Sequence, residues 1–150
     1  MSKDEQYMTL ALKEAKKAYK KGEVPVGAII VLDDKVIFKG HNIRESSNDI
    51  LKHAELIAIK KASRKLKDWR LSNTVMYITL FPCPMCASAI LQSRIKKIVI
   101  GTPTTDKINK EIVDLIFKGN ATSPKIEVIE GILENECKSI LSNFFKEKRL

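Results

Sequence analysis

Cysteine is scarce: three in 150 residues, which cannot make a full disulfide framework. Long apolar runs are missing too, and no stretch approaches the roughly 20 consecutive apolar residues that a membrane helix needs. The opening Met1-Ser2-Lys3-Asp4-Glu5 is acidic-polar rather than basic and then apolar, so no secretory signal is visible. No repeat, low-complexity segment or linker interrupts the chain. These absences argue against a secreted or membrane protein and set the expectation of a cytoplasmic one with no membrane partner. What is present suits a packed core: 44% of residues are hydrophobic and 30% charged, which argues against a mostly disordered chain. The length fits one domain over residues 1–150.

The charge has two readings. Lys and Arg total 27 against 18 acidic residues, a net charge of +9, and a basic domain of this size fits a polyanionic partner such as nucleic acid. Of those cations 22 are Lys, however, and a coding bias toward Lys and Ile would give the same balance with no partner.

Residues 5–21 carry Met8, Ala11, Leu12, Ala15, Ala18 and Tyr19 on one stripe, the pattern of an amphipathic helix that stops at Gly22. Val26–Leu32 is a short β-branched apolar run, expected as a buried strand; Asp33-Asp34 is a two-residue turn, and Lys35–Gly40 pairs back as a hairpin. A polar loop is expected over 41–52, then a helix over 53–67, a strand over 74–80, a short helix over 84–93 and a strand over 96–101. A Thr-rich loop over 102–108, a helix over 109–118, a short strand over 126–129 and a last helix over 133–148 complete the chain. In that helix Leu133, Cys137, Ile140, Leu141 and Phe144 share one face, so Cys137 is expected to be a small core residue and Phe144 to be buried. Strands alternating with helices imply a three-layer α/β/α domain that begins with a hairpin.

The chemistry-bearing residues fall at two predicted helix starts, His53-Ala54-Glu55 and Pro82-Cys83-Pro84-Met85-Cys86. Alone, the first could be a helix-start histidine and the second a redox pair. Together they supply one imidazole and two thiolates, three zinc ligands that leave a fourth tetrahedral position open, as catalytic rather than structural zinc requires. A helix N-terminus favours thiolates at Cys83 and Cys86. Glu55 follows His53 by two residues, near enough to serve a proton to a site it does not ligate. H-x-E with P-C-x-x-C is the known signature of zinc deaminases that act on nucleobases.

On these motifs the chain resembles the cytidine/deoxycytidylate deaminase superfamily, and within it the bacterial tRNA-specific adenosine deaminases. The likeness also runs through Gly22-Glu23-Val24-Pro25-Val26-Gly27-Ala28, His41-Asn42-Ile43-Arg44-Glu45, Trp69-Arg70-Leu71, Tyr77-Ile78-Thr79-Leu80, Ser93-Arg94-Ile95 and Phe144-Phe145-Lys146. It implies a cytidine-deaminase-like α/β domain with a central mixed sheet of about five strands. It also implies one Zn2+ per chain on His53, Cys83 and Cys86, with Glu55 moving protons. Asn42 would hydrogen-bond the flipped base, the Ala54 backbone would support it, and Val26 would line the pocket beneath. The implied reaction is hydrolytic deamination of adenosine to inosine at the tRNA wobble position, on an anticodon stem-loop lying near the basic C-terminal helix, by a homodimer.

Two segments depart from the family pattern: Phe81 stands where Glu usually precedes Pro-Cys, and residues 101–109 lack the usual Lys-Gly-Gly-like run of a loop that helps hold substrate. Two alternatives follow, a deaminase of a free nucleobase or nucleoside (cytosine, guanine or cytidine), and a noncatalytic RNA-binding subunit. The intact Glu55 argues against the second.

Overall fold

The computed structural model describes residues 1–149. Helix α1 (Lys3–Lys20) opens on a reciprocal cap: the Ser2 hydroxyl accepts the Glu5 N–H at 3.1 Å and the Glu5 carboxylate accepts the Ser2 N–H at 3.1 Å. Its Met8, Ala11, Leu12, Ala15 and Ala18 are buried, as the stripe predicts. The chain then forms the hairpin of β1 (Gly27–Leu32) and β2 (Lys35–His41). Asp33 and Asp34 turn it at φ +50° and +60°, the left-handed pair that a two-residue turn matching strand twist requires.

After the hairpin come α2 (Arg44–Ser47), α3 (Ala54–Leu66), β3 (Val75–Leu80), α4 (Pro84–Gln92), β4 (Lys97–Thr102), α5 (Lys107–Phe117), β5 (Glu127–Glu130) and α6 (Glu134–Arg149). The five strands form one sheet in the order β2-β1-β3-β4-β5. β1 is antiparallel to both β2 and β3, whereas β3, β4 and β5 run parallel, so the sheet is mixed as expected.

Both faces of the sheet are covered, which is why β1 reads as a continuous apolar run rather than an alternating one. Ala28, Ile30, Met76, Ile78, Ile98 and Ile100 pack with Ala54, Ala58, Ala62, Ala87, Ile90 and Val113 of α3, α4 and α5. On the other face Ile29, Val31, Tyr77 and Val99 meet Met8, Ala11 and Leu12 of α1 and Cys137 of α6. Cys137 is fully buried, and burial pushes its thiol up to about 12; it is a small core residue. Phe144 is buried and Phe145 exposed. No described helix is long and apolar enough to cross a membrane.

One close contact sets where the site lies. A Cβ at Gly40 would come within 2.6 Å of the Ala54 carbonyl, so glycine lets the start of α3 rest directly on β2. Two segments read as loops are partly helical. The 41–52 segment contains the single turn α2, ended by Asn48 at φ +51°. Helix α5 begins at Lys107, two residues early, because Asp106 caps it by accepting the Asn109 N–H at 3.1 Å.

Candidate metal centre and active site

The sheet delivers its two chemical motifs to one place through helix starts. His53 is the residue capping α3, and Glu55 lies in the first turn of that helix. Cys83 caps α4, Pro84 follows at the first helical position, where a missing N–H costs nothing, and Cys86 lies in the same turn. A cap residue and the residue three beyond it face each other across one turn, so the C-x-x-C spacing places both sulfurs together. Each helix also presents its electropositive end to them.

His53 Nδ1 lies 3.4 Å from Cys86 Sγ and 3.8 Å from Cys83 Sγ, and all three atoms fall within 4.8 Å of one another. Tetrahedral zinc with Zn–S near 2.3 Å and Zn–N near 2.0 Å needs N···S separations of about 3.6 Å. Two sulfurs and an imidazole nitrogen also form the donor set that zinc takes. The residues fit the metal in geometry and in chemistry.

The three side chains set one another's protonation. The Cys86 hydrogen bond leads in drawing the Cys83 thiol down to about 4, with the His53 bond adding to it, while burial opposes. The same contact with Cys83, together with burial, raises Cys86. The hydrogen bond to Cys83 likewise raises His53. A dication held by both sulfurs would displace the proton that they share. Glu55 is only 4% exposed, and burial pushes its carboxyl up to about 7.

These groups open on a cavity of about 270 Å³, to which His53, Glu55 and Cys83 contribute. Val26 and Asn42 line it as well. Ala54 does not; its side chain is buried in the core, and its N–H donates to Asn42 Oδ1 at 2.9 Å. The Asn42 N–H in turn donates to the Val26 carbonyl at 3.2 Å. Asn42 is thereby fixed between the residue preceding β1 and the start of α3, with its amide NH2 left over.

The rest of the wall includes both departures from the family pattern and one acid, Glu23, with no role legible in the sequence. Phe81, the first departure, is buried in it with the Lys110 ammonium 5.4 Å from the ring centroid. Thr104 and Asn109 reach it from the atypical segment. Glu23 also lines it, 2% exposed. Its two carboxylate oxygens accept the Glu45 N–H at 2.9 Å and the Ser46 N–H at 2.7 Å, pinning α2 over the site. The available signal was an acid inside an otherwise apolar turn, Gly22 to Ala28.

Burial alone would raise the Glu23 carboxyl, but the two backbone hydrogen bonds and the Arg44 charge outweigh it and hold it below its usual value. A depressed carboxyl stabilises the fold above its unfolded pKa, and that gain is lost as pH falls through the folded value. Glu23→Gln is therefore expected to cost about 1–3 kcal/mol at neutral pH, and the cost should shrink below about pH 4.5. Urea unfolding of both proteins at pH 7 and pH 3.5 checks this; an equal difference at both would remove the carboxylate's role.

Residues 1–102 match the cytidine and deoxycytidylate deaminase zinc-binding region. The chain is 42% identical over 149 residues to the tRNA-specific adenosine deaminase of Bacillus subtilis, covering 99% of this chain and 92% of that one. It is 45% identical over 148 residues to the enzyme of the same name from Buchnera aphidicola, covering 99% and 97%. A solved structure from a study of A-to-I editing by tRNA:A34 deaminases superposes with a TM-score of 0.83 at 36% identity, covering 91% of this chain and 99% of that chain. The chain belongs to the cytidine and deoxycytidylate deaminase family and, within it, to the family of tRNA-specific adenosine deaminases.

Proposed function

We propose that this protein is a zinc-dependent hydrolase that converts adenosine to inosine at the wobble position of tRNA. The observation that carries the chemistry is the convergence of a buried carboxyl group, Glu55, with a His/Cys/Cys triplet on one cavity. The near full-length relatives at 42–45% identity carry the substrate.

His53, Cys83 and Cys86 would hold one zinc ion per chain, whose Lewis acidity makes water nucleophilic at neutral pH. Glu55 is the proton carrier: burial places its carboxyl near 7, so at neutral pH it can both accept a proton and return it. It takes a proton from the attacking water and delivers protons to the adenine ring nitrogen and to the departing 6-amino group. Adenosine and water thus become inosine and ammonia. Asn42 holds the base through its free amide NH2, and Ala54 supports that contact by fixing the Asn42 carbonyl. Val26 forms the pocket floor, and the enclosing walls suit a base taken out of its stack.

The +9 charge supports a polyanionic partner, the anticodon stem-loop, and such a substrate agrees with a cytoplasmic location. A single deaminase domain over 1–150 that acts as a homodimer completes the reading; exposed Ile50, Leu51 and Trp69 supply apolar surface for association.

The test is ammonia release by zinc-loaded protein from a wobble-adenosine stem-loop and from free adenosine, cytosine, cytidine and guanine. Turnover of the stem-loop, falling steeply with salt as phosphate contacts require, is the expected result. Turnover of a free base or nucleoside with the stem-loop inert would overturn the substrate; no turnover of any of them would favour a noncatalytic role.

A further inference from the structure

Asn109 is held against the metal loop with half of its side chain unused. Its backbone N–H is taken by Asp106, and its Nδ2 donates to the Pro82 carbonyl at 3.3 Å, one residue before Cys83. Because a carbonyl can only accept, the group facing Pro82 must be the NH2 and the group left over must be the amide oxygen. That oxygen, Asn109 Oδ1, is buried and lacks any hydrogen-bond partner. It is the one such side-chain atom among the described residues. An unpaired buried acceptor is destabilising and rare unless something completes it, and Asn109 lines the same cavity as His53 and Glu55.

We propose that Asn109 Oδ1 accepts a hydrogen bond from the bound substrate strand, which makes Asn109 a specificity-determining residue. This rests on the tRNA reading of the site. The partner must be a donor, which excludes phosphate oxygens and leaves a ribose 2′-hydroxyl or an amino or ring imino N–H of a base flanking the reacting adenosine. The same segment, 101–109, lacks the glycines usual in the family. Here an early-starting helix carries a polar side chain into the wall in their place.

The experiment pairs substrate changes with a protein change. Stem-loops bearing a single 2′-deoxy residue at the wobble nucleotide or either neighbour, and stem-loops in which each flanking base is replaced by an analogue lacking its amino or its imino N–H, are compared with the parent. Wild type is expected to lose roughly tenfold in kcat/KM, mainly through KM, on one of these. Asn109→Leu should erase that one ratio and leave the others unchanged, a pattern that mere loosening of the Pro82 contact would not give. If Asn109→Leu does not fold, Asn109→Ala removes the same acceptor without added bulk.

Identical ratios in wild type and variant, or no discrimination by wild type on any analogue, would overturn the proposal. If the stem-loop is inert while free adenosine is turned over, it is the tRNA reading that fails. The comparison of adenosine with 2′-deoxyadenosine then applies the same test to Asn109, and equal rates would overturn its role there too.

Discussion

Glu55→Ala is expected to lower kcat by at least about 10²- to 10⁴-fold while leaving zinc content at the parent level. The carboxyl lies in the first turn of α3, beside His53, but is not one of the three atoms gathered at the metal position, so its loss removes proton transfer without removing a ligand. Burial both raises this carboxyl to about 7 and excludes the bulk water that would otherwise substitute for it. Glu55→Gln preserves the shape but replaces one carboxylate oxygen with an NH2 that cannot take up a proton, and it should fail to the same extent. Ammonia release with metal analysis on the same samples checks both; near-normal rates in either variant would remove Glu55 from the chemistry.

Cys86→Ala should lose zinc and stability together. The residue is fully buried, and its removal leaves only Cys83 and His53 for the ion, too few to hold a structured site. Because ligand binding favours the folded state, losing the metal lowers folding free energy as well as activity. A chain of this length loses about 2–4 °C in Tm per kcal/mol, so the sum of lost metal and lost packing should be evident in a melting curve. Cys137→Ala is the matched control, also fully buried but on the opposite face of the sheet. It should retain zinc and pay only a cavity cost of about 1–3 kcal/mol. Unchanged metal content in Cys86→Ala would exclude it from the ligand set.

The contrast between those two cysteines marks what local sequence conveys. Cys83 and Cys86 were legible because their three-residue spacing places cap and first-turn positions on one side of a helix start, whatever the rest of the chain does. Cys137 was legible as core because it shares a helical stripe with apolar neighbours. Glu23 and Asn109 were not. The partners of Glu23 are backbone N–H groups 22 and 23 residues away, and Asn109 donates to a carbonyl 27 residues away; no periodicity encodes either contact. Helix α2 escaped for the same reason: four polar residues in a loop carry no apolar stripe, and their turn is held from outside by Glu23.

The sequence by itself determined the order and type of the main elements, the hairpin turn at Asp33-Asp34, the ligand chemistry and the carboxyl beside it. Each is written in short-range patterns of two to four residues that local sterics and capping read directly. Tertiary structure decided the strand order β2-β1-β3-β4-β5, the meeting of His53 with Cys83 across 30 residues, and which side chains wall the cavity. Those depend on burying both faces of one sheet at once, a condition that no segment can satisfy alone.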